Sequence, residues 1–202
     1  EGVSLLEDGV TGELNPAQRE VAQILQQNAV SLQSQIEALL RFNAAAFEAR
    51  QLKRERCNLV KLVQEQIDAQ RLQWQSHGLT VRVEGEPVTV MADPAKLGTA
   101  VANLLSNAIR FSARGGTIAL VVSSTGDTAS IEISDAGPGI APDDRDRVFE
   151  PFFRGERQPE HTVKGTGIGL SIVQEYIAAH GGRIALLPTG PGARFRIDLP
   201  RG

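Results

Sequence analysis

The sequence predicts an α+β chain in which a helical segment precedes a region of alternating strands and helices. Two observations carry this expectation. After Pro16, apolar residues recur at steps of four and three along a stretch that nothing breaks until about Leu52, which is the period of a helix seam. From residue 55 onward, short β-branched runs alternate with helical spacings and glycine turns. The boundary falls near Arg54, so the expected domains are residues 1–54 and 55–202.

Composition excludes several classes. A chain of 202 residues with 41% hydrophobic and 22% charged residues can bury a sizeable core, and disorder is not expected. The net charge is −3 and the basic residues are dispersed apart from Lys53-Arg54-Glu55-Arg56, so no basic face for nucleic acid is expected. The single cysteine, Cys57, can form no internal disulfide, which suits a reducing compartment and points to the cytoplasm. No apolar stretch approaches the roughly 18 residues needed to cross a bilayer, and no charged-then-apolar leader opens the chain. The chain begins in what reads as a helix interior without a cap, so a longer protein with a membrane span upstream is expected.

The elements follow in order. Residues 1–8 read as a helix tail ended by Gly9 and Gly12. Asn15 caps the next helix, with Pro16 at its first position and Glu20 in its early turns. Its seam is Val21, Leu25, Asn28, Leu32, Gln35, Leu39, Phe42 and Ala46, with polar layers at Asn28 and Gln35 that fix register. A helical hairpin that dimerises into a four-helix bundle is expected.

In the second region, Leu59, Leu62, Val63, Ile67 and Leu72 have helical spacing, and residues 79–83 and 88–90 read as strands. Asp93-Pro94 starts the helix that carries Asn103 and Asn107. Residues 117–123 and 129–134 form a hairpin around Thr125-Gly126-Asp127. A last helix over 166–179 leads through Gly181-Gly182 to strands at 183–187 and 193–199.

Three motifs carry chemistry. Asn103 and Asn107 lie one turn apart and share a helix face with Arg110 and Phe111. A neutral amide oxygen can ligate Mg²⁺ without adding charge, and an arginine can bind phosphate. Next, Asp135 ends a strand before Ala136-Gly137-Pro138-Gly139. Its carboxylate can accept from the exocyclic amine of adenine while Gly137 and Gly139 leave space for a base; the same pattern also fits an ordinary turn. Finally, Gly165-Thr166-Gly167-Ile168-Gly169-Leu170 opens a helix and can present amides to phosphates. It lacks the Gly-Lys-Ser/Thr ending of a P-loop and the flanks of a dinucleotide fold. Between the glycine turns, residues 155–164 read as a lid with Arg154 at its hinge. Phe149, Phe152 and Phe153 either anchor it or pack the core, and His161 and Lys164 read as solvated loop residues.

Taken in this order, these motifs resemble the ATP-binding domain of sensor histidine kinases, which shares the GHKL, or Bergerat, fold with gyrase and MutL. The resemblance covers essentially the whole chain. It implies an α/β sandwich with a mixed sheet and helices on one face, following a partial dimerisation and phosphotransfer hairpin. It implies ATP/ADP and Mg²⁺ as ligands, with Asn107 on the metal, Arg110 and Arg154 on phosphate, and Asp135 on the adenine amine. Phe111, Ile140, Phe153, Thr166, Ile168, Leu170 and the glycines would complete the nucleotide site, and Asn103, Asn107 and Arg110 the catalytic set.

Relatives that hydrolyse ATP carry a glutamate at the position of Asn103. Asparagine cannot act as a base at neutral pH, so phosphoryl transfer to a side chain is expected instead. The family's phosphoacceptor histidine, in a His-Glu/Asp-x-x-x-Pro setting, is absent. His77, His161 and His180 do not replace it, and this chain is expected not to phosphorylate itself. The resemblance further implies a homodimer, a response-regulator receiver domain as partner, and the cytoplasmic portion of a bacterial inner-membrane sensor. The alternatives are a nucleotide-regulated dimeric binding module without phosphotransfer and a serine kinase of the anti-sigma type.

Overall fold

The computed structural model describes residues 12–157, 165–188 and 191–201. The expected helix tail over residues 1–8, together with His161 and Lys164, lies outside them. Two compact units divide the chain, Glu1–Arg41 and Phe42–Gly202.

In the first unit, helix α1 (Pro16–Glu48) begins on a reciprocal cap. The Asn15 side chain accepts from Gln18 N–H at 2.9 Å, and the Gln18 side chain accepts from Asn15 N–H at 3.0 Å. At 33 residues the helix is about 50 Å long, and it ends four residues before the expected Leu52. Along its seam Val21, Leu25, Leu32 and Leu39 each expose between 46 and 58% of their surface, unlike core positions.

In the second unit, α1 ends where Arg50 and Gln51 turn back onto Phe47 and Glu48. Strand β1 (Glu55–Asn58) follows and pairs antiparallel with β3 (Thr89–Ala92). Sequence reading missed β1 because Glu-Arg-Cys-Asn has neither alternation nor β-branching; its partner strand makes it. Asn58 then caps α2 (Leu59–Ala69) by accepting from Lys61 N–H. The expected single helix is broken at Gln70, and α3 (Arg71–Ser76) turns Leu72 out to 83% exposure, so Leu72 leaves the apolar stripe assigned to it. The indole of Trp74 donates to the Ile67 carbonyl at 3.1 Å and holds the break.

The main sheet has the order β2 (Thr80–Gly85), β4 (Thr117–Thr125), β5 (Thr128–Ser134), β7 (Arg194–Pro200), β6 (Arg183–Leu186). β2 runs parallel to β4 and the other pairs are antiparallel, so the sheet is mixed as expected. Alternation decides its faces. Ile118, Leu120, Ile131, Ile133, Phe195 and Ile197 point into one core with α2, α4 (Pro94–Phe111) and α5 (Gly169–Ala179), which places the helices on one face. The other face is polar: Ser130 donates to Asp198 at 2.8 Å, and Arg196 donates to both Ser130 and Asp198.

One buried node ties the two site helices to the chain that enters the domain. Asp93 caps α4, with Oδ1 accepting from Lys96 N–H at 3.1 Å and Oδ2 accepting from Lys53 N–H at 2.9 Å and Lys96 Nζ at 3.0 Å. Its own N–H donates to His180 Nε2 at 2.9 Å, so the His180 proton sits on Nδ1 and is donated to the Tyr176 carbonyl at 2.6 Å. His180 was expected to end a helix; it also secures the start of α4.

Burial pushes the Asp93 carboxyl up, but the Lys53 N–H and Lys96 outweigh this and hold it at about 2. The folded value lies below the unfolded one. This stabilisation, roughly 2 kcal/mol, is therefore complete above the unfolded value and lost as pH falls from 3.8 toward 2. Asp93→Asn is expected to flatten that acid limb in urea titrations followed by the single tryptophan, Trp74. An unchanged limb would assign it to other carboxylates.

Tyr176 supplies a second check. Burial first, and then Glu48, whose carboxylate accepts from the phenol at 3.2 Å, raise its pKa to about 12. The unfolded state ionises first, so stability falls as pH rises from 10 toward 12. Since the chain has one tyrosine, phenolate absorbance is expected to titrate near 12, and Glu48→Gln to move it toward 10.

Candidate functional site

The three glycines of the second turn each seat a different part of the site. A Cβ on Gly165 would collide with the Arg110 guanidinium; one on Gly167 would lie 2.7 Å from the Phe153 carbonyl; one on Gly169 would lie 3.2 Å from Asn103 Oδ1. Gly167 also has a positive φ of 75°, and its carbonyl accepts from Phe152 N–H at 2.9 Å. A spacing of two residues thus brings the α4 asparagine, the α4 arginine and the aromatic block to one segment. The expected helix from residue 166 instead starts at Gly169, so Gly165-Thr166-Gly167 is a loop laid across α4 rather than a first helical turn. No side chain caps this helix start, and Ile168 and Leu170 fix it by packing inward.

The first glycine turn is built differently from its expected form. Asp135 Oδ1 accepts from Gly137 N–H at 2.8 Å and from Ala193 N–H at 3.1 Å. Burial raises the carboxyl's pKa against the pull of those two amides. The space at Gly137 and Gly139 is taken by main chain: Cβ atoms there would lie 2.5 Å from the Phe111 carbonyl and 2.7 Å from the Gly192 carbonyl. These glycines therefore permit close backbone packing on the side a Cβ would occupy. Gly192, which sequence reading missed, has φ 94° and leaves no room for a Cβ beside the Asp135 carbonyl. Only its place before β7 could have signalled it.

The phosphate-binding candidates lie together. Burial and the neighbouring Arg154 charge both lower the pKa of Arg110, whose guanidinium also sits 5.1 Å from the Phe111 ring centroid. Two guanidiniums that weigh on each other in this way favour an anion between them. Asn103 is tied back to its own helix, its amide donating to the Thr99 carbonyl at 3.0 Å. Asn107 is half-buried one turn on and makes no side-chain hydrogen bond among the described residues.

Of the two roles left open for the aromatics, core packing is seen for one, and residues 158–164 of the expected lid lie outside the described residues. Phe149 packs edge-on against Phe195 at 6.1 Å and belongs with the core, as does half-buried Ile140. Phe152 holds a left-handed backbone at φ 66° and is 43% exposed. Phe153 lies under the Arg147 guanidinium at 4.4 Å. Thr166 is half-buried in the loop before α5.

Residues 92–202 match the family model for histidine kinase-, DNA gyrase B-, and HSP90-like ATPases. Sensor histidine kinase GlrK of Escherichia coli is 35% identical over 201 residues, 99% of this chain and 42% of that protein. The structure of the mycobacterial sensor histidine kinase MprB superposes with a TM-score of 0.67 at 31% identity, over 72% of this chain and 97% of that one. Full-length ShkA, solved in complex with AMPPNP, gives a TM-score of 0.72 at 27% identity, over 98% of this chain and 41% of that one. The chain thus spans less than half the length of GlrK.

Proposed function

Because the chain belongs to the sensor histidine kinases within the histidine kinase-, DNA gyrase B- and HSP90-like ATPase family, we propose that it binds Mg·ATP and presents the γ-phosphoryl for transfer to a histidine. That histidine lies on a dimerisation helix outside these 202 residues. The observation that carries the reading is the Gly165-Thr166-Gly167-Ile168-Gly169 segment, which seats Arg110, Phe153 and Asn103 together.

In this reading Asp135 Oδ1 holds its turn and Oδ2 accepts from the adenine amine. Arg110 and Arg154 take the phosphates. The donor set also fits a magnesium ion. Among the described residues no group of three or more His, Cys, Asp or Glu could hold a metal alone, so a cation here relies on one amide oxygen, from Asn107, and on phosphate oxygens. When bound, it would neutralise charge that develops as the γ-phosphoryl leaves ADP. Asn103, an amide where hydrolytic relatives carry a carboxylate, provides no base for water. The γ-phosphoryl therefore passes to the imidazole nitrogen rather than to solvent, and ADP departs.

The whole protein then acts as a homodimer, paired through the exposed α1 seam. Division into a hairpin over 1–54 and a catalytic domain over 55–202 follows, and the final acceptor is an aspartate of a response-regulator receiver domain. No described helix is long and apolar enough to cross a membrane, so attachment to the bacterial inner membrane would come from other segments.

The test pairs titration of this chain with Mg·ATP and incubation with γ-labelled ATP of this chain and an N-terminally extended one. Binding by both, with acid-labile label on the extended chain only, is the expected result. No ATP binding overturns the reading. Acid-stable label on a partner's serine assigns the chain to the anti-sigma class.

A further inference from the structure

Arg154 sits in a segment held from both sides. Before it, Arg147 covers the Phe153 ring and its Nε donates to Glu150 at 3.1 Å. After it come two contacts that reach far from the segment itself. Asp144, at the end of a short 3₁₀ turn (Pro142–Asp144), accepts from Glu156 N–H through Oδ2 at 3.0 Å. Arg157 Nη1 donates to the Pro138 carbonyl at 2.5 Å. Gly155 makes the first contact possible, since a Cβ there would lie 2.5 Å from Asp144 Oδ2. Pro138 lies between Gly137 and Gly139, inside the turn that Asp135 holds.

We propose that Asp144 and Arg157 are positioning residues that clasp the Arg154 segment to the Asp135–Gly139 turn, fixing Arg154 beside Arg110 for the phosphates of a nucleotide whose base meets that turn. The proposal rests on the ATP reading above and adds two residues to it. The physical reason is geometric. Arg154 is an exposed side chain, and an exposed arginine gives up considerable rotamer freedom when it grips a phosphate. Gripping also orders the main chain that carries it, and tethers at the Glu156 N–H and the Arg157 side chain, two and three residues on, remove part of that backbone cost before the ligand arrives. Both clasp contacts are bonds to charged side chains, the stronger class of hydrogen bond. The clasp also makes the two ends of the site interdependent: the carbonyl that anchors Arg157 belongs to the turn that reads the base, while the arginine it steadies reads the phosphates.

The test uses the full chain and two ligands, Mg·ATP and adenosine, with thermal midpoints recorded throughout. Arg157→Ala and Asp144→Ala are each expected to weaken ATP about tenfold, the scale of one lost bond to a charged group, while adenosine affinity changes less than about twofold. Arg157→Lys, which retains a donor, is expected to recover most of the loss. Because the clasp acts through Arg154, adding Arg157→Ala to Arg154→Ala is expected to cost nothing further. Three results would overturn the proposal: unchanged ATP affinity in the single variants, additive losses in the double variant, or equal losses for ATP and adenosine. If the unaltered chain binds no ATP, the ATP reading falls and the clasp falls with it. If that chain binds and the variants bind equally, only the clasp falls.

Discussion

Asn107→Ala is expected to reduce magnesium-dependent ATP affinity at least about 100-fold, or about 2.7 kcal/mol, and to abolish labelling of the extended chain. The side chain makes no hydrogen bond among the described residues, so truncation removes no hydrogen bond from the scaffold. Alanine is also the better helix former by about 0.5 kcal/mol. Fold stability is therefore expected to change by less than about 1 kcal/mol, and any loss of binding reports the ligand rather than the scaffold. The measurement is a calorimetric titration with ATP in the presence and absence of magnesium, for the unaltered chain, Asn107→Ala and Asn107→Asp. The aspartate keeps an oxygen ligand but places a charge beside the phosphates, so its affinity is expected to fall between the other two. Equal affinities with and without the amide would show that the metal is held elsewhere.

A large structural effect is expected at Gly192. Its φ of 94° is one that residues with a Cβ adopt at a cost of about 1–2 kcal/mol, and a Cβ there would also collide with the Asp135 carbonyl. That carbonyl is main chain and cannot swing aside without moving the Asp135 turn. Gly192→Ala is accordingly expected to destabilise the domain by about 3 kcal/mol and lower its thermal midpoint by about 10 °C. Gly115→Ala is the control. Its φ of 75° is also left-handed, yet nothing lies within 4 Å of the added atom, so only the backbone cost applies. Similar midpoints for the two variants would show that the close approach at Gly192 relaxes without effect. Adenosine affinity is expected to fall with Gly192→Ala and not with Gly115→Ala.

These glycines also show what the sequence could and could not convey. Asp93-Pro94 was legible as a helix start because cap and proline act within one turn. The hairpin was legible from local alternation, and the mixed sheet only from the resemblance to a known family. The three motifs were legible as a set because their order matches a known family. Features that depend on distant partners left no such trace. Strand β1 exists because β3 lies beside it, and the second purpose of His180 depends on Asp93, 87 residues away. Gln70 ends a helix without glycine or proline nearby, its amide donating to the Ala102 carbonyl of α4 at 3.0 Å. Arg157 carries no motif, and its meaning comes from a carbonyl 19 residues earlier. The close approach of the Phe111 and Gly192 carbonyls to Gly137 and Gly139 likewise left no local trace.

The strand order has a consequence for solubility. An open sheet ends in two strands whose outer amides and carbonyls can recruit the edge of another molecule and start aggregation. Here those strands are β2 and β6. β2 is the longer, but Arg82 and Glu84 stand exposed along it, and Glu86-Pro87 follows directly, where proline offers no amide to continue a ladder. β6 has only four residues and opens with exposed Arg183. Stacking two β2 edges in parallel register would press Arg82 on Arg82 and Glu84 on Glu84, and continuing the ladder past Glu86 would meet the proline. The sheet thus stays unclosed while each of its edges carries a charge, and the longer one a proline, that works against a further strand.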